Sequence, residues 1–155
     1  MKPMDDASKE DFLDLEKFLC FSVYAASHAF NRIYKPLLDR LGLTYPQYLV
    51  MVSLWQEDDQ SVRSIGQKMF LESSTLTPLL KRLEANGLVV RKRDPEDERS
   101  VRVRLSVEGK ALREKAEEVP ACILDATGLD IETAKRLNRD LQELRTQLES
   151  GAKRL

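Results

Sequence analysis

A proline and a glycine bracket one helix in the middle of this chain. Pro78 lacks the N–H that an inner helical position donates and is tolerated only close to a helix start, so its helix must begin near Ser74 or Thr75. Asn86-Gly87 supplies the left-handed residue that stops it. Upstream, Ser61-Val-Arg-Ser-Ile-Gly-Gln-Lys-Met69 reads as a short helix capped by Ser61, followed by a break at Phe70-Leu71-Glu72. Two short helices across a tight turn, the second opening with polar residues and carrying Lys81 and Arg82 later, form the pattern of a helix-turn-helix. Leu88 to Arg93 then reads as a strand, 94–100 as a turn and Val101 to Leu105 as a returning strand. Val101, Val103 and Leu105 face one side and Arg102 and Arg104 the other. The hairpin is a wing.

Long helices are expected on either side. From Phe12 to Leu41 the apolar residues Phe12, Leu15, Leu19, Val23, Ala26, Phe30, Ile33, Leu37 and Leu41 recur at steps of three or four, the mark of an amphipathic helix. Phe18, Phe21, Tyr24 and Tyr34 widen that apolar surface beyond what one small domain covers, so a second copy of the chain is expected against it. Pro36 predicts a kink near Lys35 and Gly42 the end. A further helix starts around Tyr45-Pro46 and runs to about Gln56. Ser106 caps another toward Ala126, interrupted around Pro120, and Gly128 marks a short linker. The last helix, Ile131 to about Leu148, carries Leu137, Leu141, Leu144 and Leu148 as a seam of about two heptads, too short to stand alone. The expected fold is mainly α with a small β wing. Within a single chain of residues 1–155, a winged helix-turn-helix at 45–106 is flanked by dimerisation helices at 12–42 and 107–150.

Composition narrows the function. At 155 residues, 42% hydrophobic and 33% charged, the chain has the length and apolar content of one folded domain. Its longest apolar run, Tyr48 to Val52, is five residues, which excludes a membrane span. The opening Met-Lys-Pro-Met-Asp-Asp is acidic where a signal peptide is apolar, so a cytoplasmic location and reduced thiols are expected. Two cysteines, Cys20 and Cys122, and the single His28 cannot form a zinc site, and no cofactor or metal is expected. Net charge is −1, yet between Ser61 and Arg104 ten Lys/Arg face six Asp/Glu, a net +4 on a remainder of −5. A basic reading segment on an acidic body suits double-stranded DNA as partner.

The order of helices, helix-turn-helix, wing and flanking helices resembles the MarR family of winged-helix regulators. Asp94-Pro-Glu-Asp-Glu-Arg-Ser100 followed by Val101-Arg-Val-Arg-Leu-Ser-Val-Glu-Gly109 is similar to that family's wing and the start of its fifth helix. Within it, Phe18-Leu-Cys-Phe-Ser-Val-Tyr-Ala-Ala-Ser27, Tyr34-Lys-Pro-Leu-Leu-Asp39, Leu43-Thr-Tyr-Pro-Gln-Tyr-Leu49 and Leu76-Thr-Pro-Leu-Leu-Lys-Arg-Leu83 resemble the organic hydroperoxide resistance regulators. The resemblance spans roughly residues 12 to 126. It implies a homodimeric repressor on a pseudopalindromic operator, not an enzyme, with an organic hydroperoxide as inducer. It further implies Cys20 as peroxide sensor, Tyr34 and Tyr45 hydrogen-bonding to it from the other protomer, and Cys122 as the thiol that resolves the oxidised sensor, whether within a chain or between chains.

The residues alone leave alternatives open. A free cysteine on an apolar helix is commonly a small buried hydrophobe, and Cys122, beside Pro120 and Ile123, could also be core. Phe21 and Tyr24, the latter at i+4 from Cys20, are candidates for a sensor pocket, though aromatics at helical spacing also serve cores. Ser74, Thr75 and Thr77 could be caps, and Lys81 and Arg82 solvated charges; together on a recognition helix they suit phosphates and base edges. Arg99 at the hairpin tip suits a narrow minor groove, with Asp97 ordering it through an ion pair. Arg91, Lys92, Arg93, Arg102 and Arg104 are further phosphate candidates. A repressor that senses a small aromatic ligand, with both cysteines structural, and a thiol peroxidase that binds DNA are the competing functions.

Overall fold

The computed structural model describes residues 13–155, so the expected helix start at Phe12 lies outside the described residues. They form two compact units, 13–117 and 118–155. In the first unit α1 spans Leu19–Asp39, α2 Tyr45–Gln56, α3 Val62–Met69, α4 Ser73–Ala85 and α5 Val107–Ala116. A three-stranded antiparallel sheet is made of β1 (Gln60–Ser61), β2 (Val89–Arg93) and β3 (Val101–Leu105), with β3 in the middle. The second unit holds α6, Val119–Thr127, and α7, Ile131–Ala152. No described helix is long and apolar enough to cross a membrane.

The first helix begins later than its apolar periodicity suggests. Asp14 accepts the Glu16 amide and caps a single 3-10 turn, Leu15–Lys17, and Phe18 is extended before α1 starts. A short carboxylate offering the backbone a local partner competes with continuing the helix. Pro36 lies inside α1, which ends where the Leu43 amide returns to the Leu38 carbonyl at 3.1 Å across left-handed Gly42. The next helix, α2, starts with a reciprocal capping box between Thr44 and Gln47 and takes Pro46 in its first turn.

Helix α2 is the post around which the first unit is built. Gln47, Tyr48, Val50, Met51, Ser53 and Leu54 are all buried, and α2 packs against α1, α3, α4, α5 and β3. Ser61 caps α3 as expected, its hydroxyl taking the Ser64 amide at 3.0 Å. Phe70 ends α3 in the left-handed region, at φ 55°. A Cβ on Gly66 would stand 2.8 Å from the Leu71 carbonyl oxygen, so the turn between the two helices closes only over a glycine. Helix α4 begins at Ser73, with Glu72 as N-cap and no capping side chain. This is one to two residues before the expected start, and Pro78 is therefore the sixth helical residue. Ser74 and Thr75 lie within the first helical turn and are not caps. Leu76, Leu80 and Leu83 of α4 are fully buried, joined in the core by Ile65, Val89 and Val103.

The hairpin is as read, with Val89 opposite Leu105 and Arg93 opposite Val101. The short β1, which pairs Gln60 with Val103, carries no signal in the sequence. Ser106 caps α5 through the Gly109 amide and donates its hydroxyl to the Gly87 carbonyl. The first turn of α5 presses on Leu88, between α4 and β2, so closely that a Cβ on Gly109 would lie 2.0 Å from the Leu88 carbonyl oxygen. The Trp55 indole donates to the Gly109 carbonyl at 2.8 Å. In the second unit the break expected around Pro120 falls just before it, at Glu117-Glu118, and Pro120 sits in the first turn of α6. Left-handed Gly128 ends α6, and Asp130 caps α7, which runs four residues past Leu148.

Gly109→Ala should lower unfolding stability by about 3 kcal/mol or more, because the clash is with backbone that has nowhere to move. Urea unfolding checks this, and a loss below about 1 kcal/mol would mean that the contact yields.

Candidate nucleic-acid interface and thiol site

On α4 the buried Leu76, Leu80 and Leu83 fix one face inward, and at about 100° per residue Ser74, Lys81 and Arg82 fall on the opposite face, with Thr75 and Thr77 on its two flanks. All five are at least partly exposed. The Thr77 hydroxyl donates to the Ser73 carbonyl at 2.8 Å, which fixes its rotamer and leaves its methyl outward. Lys81 and Arg82 have no carboxylate partner among the described residues. A polar, cationic helix face free of internal pairing is equipped for phosphate and base edges.

At the wing tip the Asp94 amide donates to the Ser100 carbonyl at 2.8 Å and the Ser100 amide to the Asp97 carbonyl at 2.9 Å. The Asp97 carboxylate accepts the Arg99 backbone amide at 3.0 Å, which corrects the expected ion pair. A carboxylate two residues before an amide closes a tight Asx-type turn, and among the described residues the Arg99 guanidinium has no carboxylate partner. Arg99 is exposed.

The other wing arginines divide into two groups. Arg91 is engaged by Glu84 of α4, whose carboxylate takes the Arg91 amide at 2.9 Å, Nε at 3.3 Å and Nη2 at 3.0 Å. That amide, then the guanidinium, holds the Glu84 carboxyl below its usual range. Asp59 similarly engages Arg102 and Arg104. Lys92 and Arg93 have no carboxylate partner among the described residues. Glu84 and Asp59 were not singled out in the sequence. The seven-residue spacing of Glu84 and Arg91 across Gly87 was the available hint for the first, and nothing local joins Asp59 to residues 43 positions away.

Both cysteines are free and exposed in the single chain, so neither is the buried core residue that spacing alone allowed. Cys20 lies in the first turn of α1, a helix on which Leu19, Phe21, Val23, Tyr24, Phe30 and Ile33 are also exposed. Phe21 and Tyr24 stack at 6.4 Å between ring centroids, and Tyr24 meets His28 edge-on at 4.3 Å. No hydrogen bond joins Tyr24 to Cys20 among the described residues. Tyr34 and Tyr45 come together, ring centroids 4.7 Å apart, with Tyr48 at 5.9 Å from Tyr34. Burial, then the neighbouring Tyr45 and Tyr48, push the Tyr34 phenol up to about 12, and burial raises Tyr45 as well. These phenols keep their protons. Tyr34 follows Cys20 by fourteen residues on the same helix, about 21 Å along its axis at about 1.5 Å per residue. Within one chain Tyr34 does not reach the thiol. Cys122 sits on α6 beside buried Val119 and Ile123 but is itself exposed.

A family model described as the transcriptional regulator SarA/Rot matches residues 32–118, more than half of the chain. The organic hydroperoxide resistance transcriptional regulator of Bacillus subtilis is 45% identical over 141 residues, 91% of this chain and 91% of that protein. The chain is a MarR-type winged-helix regulator of the hydroperoxide-resistance group. Among solved structures this regulator is similar to reduced AbfR bound to DNA, with a TM-score of 0.76 and 36% identity, covering 90% of this chain and 98% of that one. AbfR comes from Staphylococcus epidermidis. Its disulfide-formed structure is similar at a TM-score of 0.60 and 35% identity, over 94% and 97% of the two chains. The matched family and relatives are transcriptional regulators rather than enzymes, and so is this chain.

The raised Tyr34 phenol, with Tyr45 and Tyr48 raised beside it, predicts a loss of stability at alkaline pH. Between its ordinary value of 10.0 and about 12, the unfolded chain has released a proton that the folded chain retains, so stability falls as pH rises through this window. Tyr34→Phe should flatten the decline, measured as urea midpoints at several pH values above about 9. An equally steep decline in the variant would place the titrating group elsewhere.

Proposed function

We propose that the protein is a homodimeric, peroxide-sensing repressor that binds a pseudopalindromic operator when reduced and releases it when an organic hydroperoxide oxidises Cys20. The observation that carries this reading is a free, exposed thiol in the first turn of α1 with, fourteen residues on, Tyr34 of the same helix meeting Tyr45 of α2 ring to ring. A thiolate reacts with peroxide and is stabilised by hydrogen-bond donors. Two copies of α1 running antiparallel would bring Tyr34 and Tyr45 of each chain to Cys20 of the other. Covering the apolar side chains exposed on α1 and α7 is the second support for a homodimer.

In the chemistry proposed, the Cys20 thiolate attacks one oxygen of the O–O bond. The alcohol leaves with a proton, and the sulfur is oxidised to sulfenic acid. The Cys122 thiolate then attacks that sulfur and displaces the hydroxyl, which takes up a proton from solvent and leaves as water, and the resulting disulfide is reduced by external thiols. A Cys20–Cys122 bond requires Cα atoms about 4.4–6.8 Å apart, so closing it where they stand farther apart moves backbone. Such a movement would change the separation of the two recognition helices. Ser74, Thr75, Thr77, Lys81 and Arg82 would serve the major groove and Arg99 the minor groove, with Asp97 shaping the loop that presents it. The gene released would encode a peroxidase that removes the inducer.

Mobility shifts on the DNA upstream of the gene, with and without stoichiometric organic hydroperoxide, test the reading. Cys20→Ser should bind within about twofold of the unsubstituted protein and no longer release on oxidation, because serine forms no sulfenic acid. Release of this variant by peroxide would place the sensor elsewhere, and release by a small aromatic ligand alone would favour the ligand-sensing function. One equivalent of peroxide should give a covalent dimer on a denaturing non-reducing gel, and none in Cys122→Ser. A disulfide mapped within one chain would overturn the intersubunit geometry and keep the two-thiol switch. Arg99→Ala should weaken binding most on operators with A·T-rich flanks, by about tenfold for one lost groove contact of about 1–3 kcal/mol.

A further inference from the structure

The corner between α2 and β1 grips β3 in two chemically different ways. Asp59 is left-handed at φ 57°, a conformation that Asp and Asn tolerate better than other side chains. Its amide donates to Asp58 Oδ1 at 2.8 Å, and the same oxygen takes the Leu105 amide at 2.8 Å. With the Gln60–Val103 and Ser61–Arg102 pairing, the backbone of the corner is fastened to β3 without the Asp59 carboxylate. That carboxylate is spent on side chains. Its Oδ1 accepts Arg102 Nε at 2.9 Å and its Oδ2 meets Arg104 Nη2 at 3.0 Å, while Arg102 Nη2 also donates to the Asp59 carbonyl.

These arginines belong to the outer face of the wing. Lys92 lies opposite Arg102 and Val90 opposite Arg104. With Arg93 and Pro95 they line a shallow concavity of about 160 Å³. Four cations surround it, and Asp59 is the one carboxylate paired to any of them among the described residues. A concavity so lined suits an anion, and on a DNA-binding wing the anion at hand is the backbone phosphodiester. Contacts of that kind carry affinity without sequence information. What a regulator needs in a genome is the ratio of operator to other binding.

We propose that Asp59 is a positioning residue that holds Arg102 and Arg104 back from DNA phosphate, so that the wing's sequence-independent grip stays weak while the helix and wing-tip contacts read the operator. The proposal rests on the DNA-binding reading above. Ion pairs this exposed contribute little to folding, so the effect of removing the carboxylate belongs to binding.

The test is a salt titration of the full-length, reduced protein on a random-sequence duplex of about 30 base pairs, beside its operator. Asp59→Asn keeps the left-handed corner and a hydrogen-bond acceptor but removes the charge. Each freed arginine that reaches a phosphate adds about 0.9 to the slope of log K against log salt. The variant should therefore steepen that slope by about one to two, bind random DNA several-fold more tightly at low salt, and show a smaller ratio of operator to random affinity. Adding Arg104→Ala to Asp59→Asn should take back about one unit of the gained slope. An unchanged slope overturns the proposal. Weaker binding of Asp59→Asn to both duplexes also overturns it, by showing that the carboxylate shapes the wing. If the unsubstituted protein binds neither duplex, the DNA-binding reading falls and the proposal with it; binding by the unsubstituted protein separates the two failures.

Discussion

The burial of α2 is the constraint on which the rest of the first unit depends. Only Pro46 and Gln56, near its two ends, are exposed, and Val50 and Met51 have no accessible surface. A helix enclosed this far has no solvent face along which to slide, so its neighbours take their positions from it. At one end Tyr45 packs on Tyr34 of α1. At the other, Trp55 donates to Gly109 of α5, and the buried Gln60 amide donates to the Ser53 and Glu57 carbonyls while its oxygen accepts from Ser64 and Lys68 of α3. Apolar packing along the middle and satisfied hydrogen bonds at the end tie the tyrosine pair and the reading helices to one body.

What surrounds that post is held by devices of short range and of long range, and they differ in how visible they are in sequence. As helix caps and stops, Ser61, Ser106, Gly42 and Gly87 act within a few residues of themselves, and each sits where the sequence placed it. The strand alternation at 101–105 has a period of two that only a strand satisfies. The start of α1 was misplaced because apolar spacing continued through a turn that Asp14 captures. The strand β1 is too short to show a period. Asp59 and Glu84 acquire their roles from partners that the fold brings together, and no local rule connects them.

The thiol site was legible in another way. Spacing alone favoured a buried Cys20, and it was the resemblance of Phe18 to Ser27 and Leu43 to Leu49 that raised the sensor reading. The structure removes the buried alternative for the single chain and brings Tyr34 and Tyr45 together through the bend between α1 and α2. That tyrosines eleven residues apart meet ring to ring follows from Gly42 ending one helix and Thr44 starting the next, both of them local signals. Their distance from Cys20 follows from helix geometry. A sensor divided in the way proposed would leave little trace in one chain, because its parts would be neighbours only between chains.

The enclosed α2 also has a mechanical side. Twelve residues make a rod of about 18 Å, anchored to aromatic rings at one end and to the reading unit at the other. A tilt of about 10° about the tyrosine end would carry the far end about 3 Å, close to the rise of about 3.4 Å per nucleotide along the DNA axis. In the proposed switch, a stiff rod of this length would turn a small rotation at the phenols into a displacement of about one base-pair rise at the reading unit.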